Sequence, residues 1–511
     1  MEPAECLAGG YILHGVDRFR VEDYLSDLSR EGDPLPRSFS GTAGGAPCGD
    51  LLRFSITVVD GHIAGVTRGA EGCAVARAAS AALAEAIEGI PLIEAARIDE
   101  DFVAELLGGL ASTHRHAAEL AVDALSRALS LVVGSDEILC SADPSQDRAL
   151  VALSGGVDSG LAAQLIGRDG TETLAVTLKL WQDPLNDGER SCCSPEAVLR
   201  ARRLAHSLGM PHFTLDLRDW FGAEVVGGFI SGYAAGRTPN PCVICNGEVR
   251  IDAMLALAER LGASRLVTGH YARVVDDGEG KLLARPRDLD KDQTHMLAAL
   301  GPESVQRLEL PLAEMTKSEV RELARDYSLP VASQPESQDL CFLAGEGKVD
   351  FLKRHGGLED RKGEIVDTSG EVIGTHRGYH RYTVGQRKGL GIGGGEPMFV
   401  LGVEADSNRV LVGPREDLER SEIRLSEVRL YRAQETVDSI RIRSHQEPIP
   451  CAVSSAEGES DLSVTLQARA VAVAPGQSAT LYAADLVVGQ GTIEAAPVPR
   501  GPLEVEFAGR R

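Results

Sequence analysis

The sequence predicts a multidomain chain: an N-terminal α+β unit, an α/β unit on a parallel sheet, a small central unit and a C-terminal β-barrel. Three observations predict it. Short apolar runs at residues 149–153, 173–178, 212–217 and 265–268 alternate with helical patterns at 160–167, 195–208 and 250–261, as in a parallel sheet covered by helices on both faces. Before them, apolar alternation around Asp60-Gly61 reads as a hairpin, followed by alanine- and leucine-rich helices at 74–88 and 117–131. After them, alternating segments such as 464–473 and 479–488, parted by Gly and Pro, read as barrel strands.

The chain has 511 residues, enough for roughly three or four domains. A polar, turn-rich stretch at 134–148 suggests a break, so the expected units are 1–134, a linker at 135–147, then 148–345, 346–425 and 426–511. Ten cysteines without a basic, then apolar, leader fit free thiols, metal ligation or catalysis better than a disulfide framework. No apolar stretch approaches the roughly 20 residues that cross a bilayer, so a cytoplasmic protein with no membrane partner is expected. A formal net charge of −24 opposes general nucleic-acid affinity. Residues 376–388, H-R-G-Y-H-R-Y-T-V-G-Q-R-K, nevertheless interleave cations with tyrosines in a way that suits RNA phosphates and unpaired bases.

The first strand of the α/β unit runs into A-L-S-G-G-V-D-S, residues 152–159. Glycines after a buried strand and at a helix start let backbone N–H groups approach an oxyanion, and the helix dipole favours negative charge there. Ala152, Leu153, Ser154, Gly155, Gly156, Val157, Asp158 and Ser159 therefore form a candidate pyrophosphate cradle. No G-x-x-x-x-G-K-[ST] sequence is present, which argues against γ-phosphoryl transfer. The pattern S-G-G-x-D-S resembles the loop of the ATP pyrophosphatase (PP-loop, adenine nucleotide alpha hydrolase-like) superfamily, which implies ATP, with Mg2+, and adenylation of a substrate oxygen. Leu178, at the end of the second strand, is a candidate wall for adenine.

In the N-terminal unit, A-P-C-G-D at 46–50, G-C-A at 72–74 and His116 occur in that order. They resemble the iron-sulfur cluster assembly scaffold family of the NifU and IscU type over about residues 10–132. Cys48 and Cys73 match two of that family's three cysteines and Asp50 its aspartate, but His116 is followed by Ala117 where the third cysteine would stand. Ligation would then fall to Cys48, Asp50, Cys73 and His116, since thiolate and imidazole can hold iron or zinc. The alternative is a docking module with two buried cysteines.

A second set of segments comprises T-P-N-P-C-V-I-C-N at 238–246, T-G-H-Y-A-R at 268–273, K-D-Q at 291–293, S-Q-D-L-C-F at 337–342 and Y-T-V-G-Q-R-K-G-L-G-I-G at 382–393. Together they are similar to the bacterial tRNA-specific 2-thiouridylase (MnmA) family over about residues 148–511. The resemblance implies ATP-dependent replacement of the wobble-uridine C2 oxygen by sulfur, with tRNA and a sulfur donor, a cysteine desulfurase or relay protein, as partners. It places the attacking cysteine at Cys245 and a persulfide carrier at Cys341, and adds Gly269 to the ATP site. Asn240, Pro241 and Cys242 would face the target base. His270, Lys291, Asp292 and Gln293 would contact tRNA, as would Arg441, Ile442 and Gln477.

The residues alone make this chemistry coherent. A carbonyl oxygen of uracil leaves poorly until it is esterified by a nucleotide, and thiolates are effective nucleophiles near neutral pH. Cys242 opens a second route, because Cys242, Cys245 and Cys341 could hold three irons of a [4Fe-4S] cluster whose fourth iron binds hydrosulfide. The fused scaffold-like unit favours that route over a persulfide on Cys341; a zinc half-site is a weaker third reading. Two other functions compete: an amidating synthetase, which gives no reason for Cys245 and Cys341, and a non-enzymatic iron-sulfur carrier.

Overall fold

The computed structural model describes residues 17–45, 49–140, 144–183, 185, 194–334, 340–393, 396–455 and 461–494. In the N-terminal unit, β1 (Phe39–Gly44), β2 (Leu51–Val59) and β3 (His62–Glu71) form an antiparallel sheet in that order. The hairpin turns on Asp60 and Gly61, both at positive φ, as the sequence predicts. Helices Ala74–Ile87 and Arg115–Val133 bury their alanine rows against this sheet. Contact is close: a Cβ on Gly41 of β1 would lie 2.1 Å from the Ala124 carbonyl oxygen.

The second sheet contains β4 (Ser145–Ala152), β5 (Glu172–Lys179), β6 (His212–Asp216) and β7 (Ala263–Val267). After a hairpin of β8 (Arg273–Asp276) and β9 (Lys281–Ala284), a two-residue strand β10 (Leu308–Glu309) completes the order β10-β7-β4-β5-β6, all parallel. Alternate residues serve two cores: Leu150, Leu174 and Val176 on one face, Ala149, Val151 and Ala175 on the other.

The N-terminal unit docks on the β6 side of this sheet. The His212 amide donates to the Ala96 carbonyl at 2.9 Å, Arg202 pairs with Asp123 at 3.1 Å, and Arg203 pairs with Glu119 at 3.1 Å. The polar stretch read as a linker is held down as well. Arg260 donates to the carbonyls of Val133, Ser135 and Glu137, and the last residues of the stretch already belong to β4.

The central unit is a four-stranded sheet of β11 (Gly363–Val366), β12 (Val372–His376), β13 (Phe399–Glu404) and β14 (Arg409–Gly413), ordered β12-β11-β14-β13. The C-terminal barrel comprises β15 (Glu419–Leu430), β16 (Ser439–Arg441), β17 (Ile449–Ser455), β18 (Leu462–Val471), β19 (Ser478–Ala483) and β20 (Leu486–Ile493), closed by pairing of β15 with β20. Residues 479–488, read as one strand, are parts of β19 and β20 joined by a turn at Ala484, whose φ is +53°. Apolar alternation continues through so short a turn and hides it. Leu486 also pairs with Ala284, so the β8-β9 hairpin, which lies outside the parallel sheet, extends the barrel sheet. No helix among the described residues is long and apolar enough to cross a membrane.

Candidate functional site

Strand β4 ends at Ala152 and the helix Val157–Arg168 begins five residues later, so the glycine turn sits at the carboxyl edge of the parallel sheet. Gly155 takes φ +73°, and its carbonyl accepts from Arg200 Nε at 3.2 Å. The Ser159 hydroxyl donates to the Gly156 carbonyl at 3.1 Å and accepts from the Ser154 amide at 3.2 Å, which fixes the turn. A cavity of about 170 Å3 opens here, lined by Ala152, Leu153, Ser154, Asp158, Ser159, Leu178 and Gly269 among others. Gly155, Gly156 and Val157 link the lining residues Ser154 and Asp158 without lining the cavity themselves, and Val157 is buried in the core. Gly269 must be glycine, since a Cβ there would lie 2.6 Å from the Asp158 carbonyl carbon and 2.7 Å from the Ser159 nitrogen.

The structure adds residues that sequence reasoning missed. Lys317 Nζ lies 2.7 Å from each Asp158 carboxylate oxygen, and the Tyr271 hydroxyl donates to Asp158 Oδ1 at 2.9 Å. The available sequence signal was a capping box, Thr316 to Glu319, which marks Lys317 as the first residue of a helix but says nothing of Asp158. Thr177, Thr268, Arg250 and Met254 also line the cavity.

His270 and Gln293, expected from the resemblance to contact tRNA, line this cavity. Gln293 Oε1 accepts from the Tyr271 amide at 2.8 Å, and His270 Nδ1 pairs with the Thr268 hydroxyl at 2.8 Å. Burial, aided by the nearby Arg250 charge, pushes the His270 imidazole down to about 3, so it stays neutral.

The C-x-x-C segment opens a helix with Pro241 in its first turn. This helix runs as Pro241–Ile244, passes through a π-helical turn Cys245–Arg250, and continues as Ile251–Arg260. It thus starts nine residues before the helical pattern read at 250–261, because the Pro-Asn-Pro entry reads as a turn. Cys245 is buried at 7% exposure, whereas Cys242 is half-buried; burial raises the Cys242 thiol, and the Arg250 charge opposes the rise. Cys341 opens a short 3-10 turn, Cys341–Leu343, anchored by Phe342 against Phe221, Phe229 and Phe351. Residues 337–339 of its motif lie outside the described residues.

Asn240 Nδ2 lies 3.5 Å from His295 Nε2, and His295 Nδ1 pairs with the Thr480 hydroxyl of β19 at 2.8 Å. Gln477 donates to the carbonyls of Thr238 and Pro239, at 2.6 and 3.4 Å, so the barrel braces the loop before the C-x-x-C. Arg441, Ile442 and Asp292, expected from the resemblance to contact tRNA, are buried in this structure. Arg441 and Ile442 are each 2% exposed, and Arg441 meets Asp292 at 2.7 Å in a buried ion pair. Asp292 also accepts from Arg285 and Thr294; these partners outweigh burial and hold its carboxyl below its ordinary value. Lys291 lies on the partly exposed 3-10 turn Leu289–Lys291. The basic strip at 376–388 is also partly internal: His376, His380 and Tyr382 are buried, and Arg377 and Arg381 share Asp360.

In the N-terminal unit, Asp50, Cys73 and His116 each offer a ligand atom, all within 4.8 Å of one another. Among the described residues no other His, Cys, Asp or Glu trio, Cys242, Cys245 and Cys341 included, gathers so tightly. Asp50 is buried, its Oδ1 accepting from the Cys73 amide at 2.8 Å and its Oδ2 lying 3.2 Å from His116 Nε2. Gly72 leaves room for this carboxylate, since a Cβ there would lie 2.1 Å from Asp50 Oδ1. Burial, with the Asp50 charge adding to it, pushes the Cys73 thiol up to about 11. Cys48 lies outside the described residues, and Ala117 is fully buried on the helix.

A parallel sheet whose first strand feeds a glycine turn and a helix N-terminus, with a cavity there and a thiol-bearing helix beside it, defines a nucleotide-dependent α/β transferase. Residues 147–345 match the tRNA methyl transferase HUP domain, 349–414 its PRC-barrel domain, 420–493 the aminomethyltransferase beta-barrel domain, and 27–134 the NifU-like N terminal domain. The bifunctional protein NifU/MnmA of Rubrobacter xylanophilus is 42% identical over 93% of this chain and 98% of its own. The tRNA-specific 2-thiouridylases MnmA of Moorella thermoacetica and Geobacter metallireducens are 42% and 39% identical, covering 68% and 69% of this chain and 99% and 98% of theirs. The chain belongs to the bifunctional NifU/MnmA family.

Proposed function

We propose that the chain is an ATP-dependent tRNA 2-thiouridylase that esterifies the C2 oxygen of the wobble uridine with AMP and replaces that oxygen with sulfur. One observation carries the reading: the helical turn that begins at Cys245 ends at Arg250 in the wall of the glycine-turn cavity. Nucleotide and thiol chemistry therefore share one element of structure.

The residues support the following roles. Ser154, Gly155, Gly156 and Ser159 receive the pyrophosphate of ATP, with Mg2+ offsetting its charge, and Leu178 and Gly269 flank the nucleoside. The C2 oxygen attacks the α-phosphorus and pyrophosphate leaves. A sulfur nucleophile then attacks C2, the C2–O bond breaks, and AMP leaves with that oxygen. With a persulfide on Cys341, charged by a cysteine desulfurase or relay protein, the terminal sulfur attacks C2. The Cys245 thiolate then attacks Cys341 Sγ, leaving the electron pair on the base's sulfur and a Cys245–Cys341 disulfide for an external thiol to reduce. In this reading Asn240, Pro241 and Cys242 face the target base, and Lys291 contacts tRNA.

A [4Fe-4S] cluster on Cys242, Cys245 and Cys341 would instead supply an open iron for hydrosulfide. In the N-terminal domain the mixed oxygen, sulfur and nitrogen set of Asp50, Cys73 and His116 fits a single iron or zinc ion. Ala117 removes the third thiolate that a scaffolded cluster would use. The deciding experiment compares wild type with Cys245→Ala on tRNA, ATP and a sulfur donor. The variant is expected to bind ATP and form no 2-thiouridine; normal thiolation by the variant would contradict the proposal, and an amidated product would favour the synthetase reading.

A further inference from the structure

Arg250 occupies the boundary between the nucleotide cavity and the cysteine turn. Among the described residues it is the only Lys or Arg lining the cavity, where it stands with Thr268, His270 and Met254. On its other side its guanidinium lies 3.5 Å from Asn246 Oδ1, one residue beyond Cys245. Its charge is felt on both sides, at His270 in the cavity and at Cys242 on the helix.

The π-helical turn explains how one residue reaches both places. Hydrogen bonding from i to i+5 widens the turn, so residues five apart stack on one face, whereas in an α-helix they are rotated well apart. Cys245 and Arg250 are separated by five. The extra residue in this turn therefore turns a permanent cation toward the face that carries Cys245 and into the cavity wall. Arginine is suited to that position because it stays charged at any working pH and its fork matches two phosphate oxygens.

We propose that Arg250 is a catalytic residue of sulfur insertion, holding the α-phosphate of the adenylated base while its C2–O bond breaks. This rests on the thiouridylase reading above. As sulfur bonds to C2, the electron pair of the breaking C–O bond passes to the oxygen that leaves in AMP, and the phosphate gains a full negative charge. Arg250 meets that charge with a fixed N–H fork in a partly enclosed site, where such donors act most strongly on the transition state.

The test uses full-length protein, a tRNA transcript, ATP and hydrosulfide as the sulfur source. Arg250→Gln should lower the kcat for 2-thiouridine by about 100-fold or more while the KM for ATP moves less than about fivefold. Arg250→Lys should recover to within about tenfold of wild type, and methylguanidinium in solution should partly restore an Arg250→Ala variant even if its thermal midpoint has fallen. Arg250→Gln within twofold of wild type, or a Lys variant no better than Gln, would overturn the assignment. Wild-type protein that makes no 2-thiouridine would overturn the activity itself, and the proposal with it.

Discussion

Lys317 Nζ sits 2.7 Å from both carboxylate oxygens of Asp158, with only 13% of the lysine side chain exposed. The acidic residue that opens the cradle helix is thus neutralised by a cation from a helix 159 positions later in the chain. Asp158 lines the cavity, so the ion pair with Lys317 sets the charge at its wall. Lys317→Met should remove one charge-assisted hydrogen bond, about 1.5–3 kcal/mol, and raise the KM for ATP about ten- to 100-fold. Adding Asp158→Asn to Lys317→Met should recover part of this loss if the two side chains act as a pair, which a double-mutant cycle in ATP affinity measures.

Four wholly or partly buried histidines make stability depend on pH with a definite sign. Burial lowers His206 and His212, pushes His270 down to about 3 and His295 to about 4. Between pH 6.5 and about 4 the unfolded chain therefore binds protons that the folded chain refuses, and stability falls as pH falls. His270 and His295 alone should cost on the order of 2 kcal/mol each between pH 6.5 and 5. Denaturant unfolding at pH 7.5 and 5.0 checks this; equal free energies would refute it.

The Arg441–Asp292 pair joins the barrel to the catalytic domain, with Arg441 also over the Tyr482 ring at 5.5 Å. Arg441→Met leaves a buried carboxylate short of a partner and should cost about 3–5 kcal/mol. If Arg441 acts inside this seam, the salt dependence of tRNA binding will keep its slope. A direct phosphate contact would instead lower that slope by about one on removal.

Metal binding by the N-terminal domain should be linked to protons. The Cys73 thiol, raised to about 11, is protonated near neutrality and must lose its proton to ligate. Chelator competition with Zn2+ should show affinity rising about tenfold per pH unit between pH 6 and 8, and His116→Ala should weaken it at least about tenfold. Affinity that ignores pH would remove Cys73 from the ligand set.

Chain-local features were legible in the sequence. The strand, glycines and helix at 149–168 announce themselves through adjacent residues, as do the Asp60-Gly61 turn and the C-x-x-C. Features that depend on distant partners were not. Nothing near Lys317 mentions Asp158, and β10 is only two residues long, too short to show a period. Arg441, placed at tRNA only by the resemblance, is buried against Asp292 across the seam, a partner that nothing near it in the sequence names. Arg250 escaped notice because its direction depends on a π turn, and an α-helical register places it elsewhere.

The central claim is that the base's own oxygen departs in AMP. tRNA carrying 18O at C2 of the wobble uridine, turned over once with ATP and a sulfur donor, tests it by mass spectrometry. The AMP formed should carry one 18O per 2-thiouridine, with none in pyrophosphate; label released to water, or thiolation without AMP, would contradict the account.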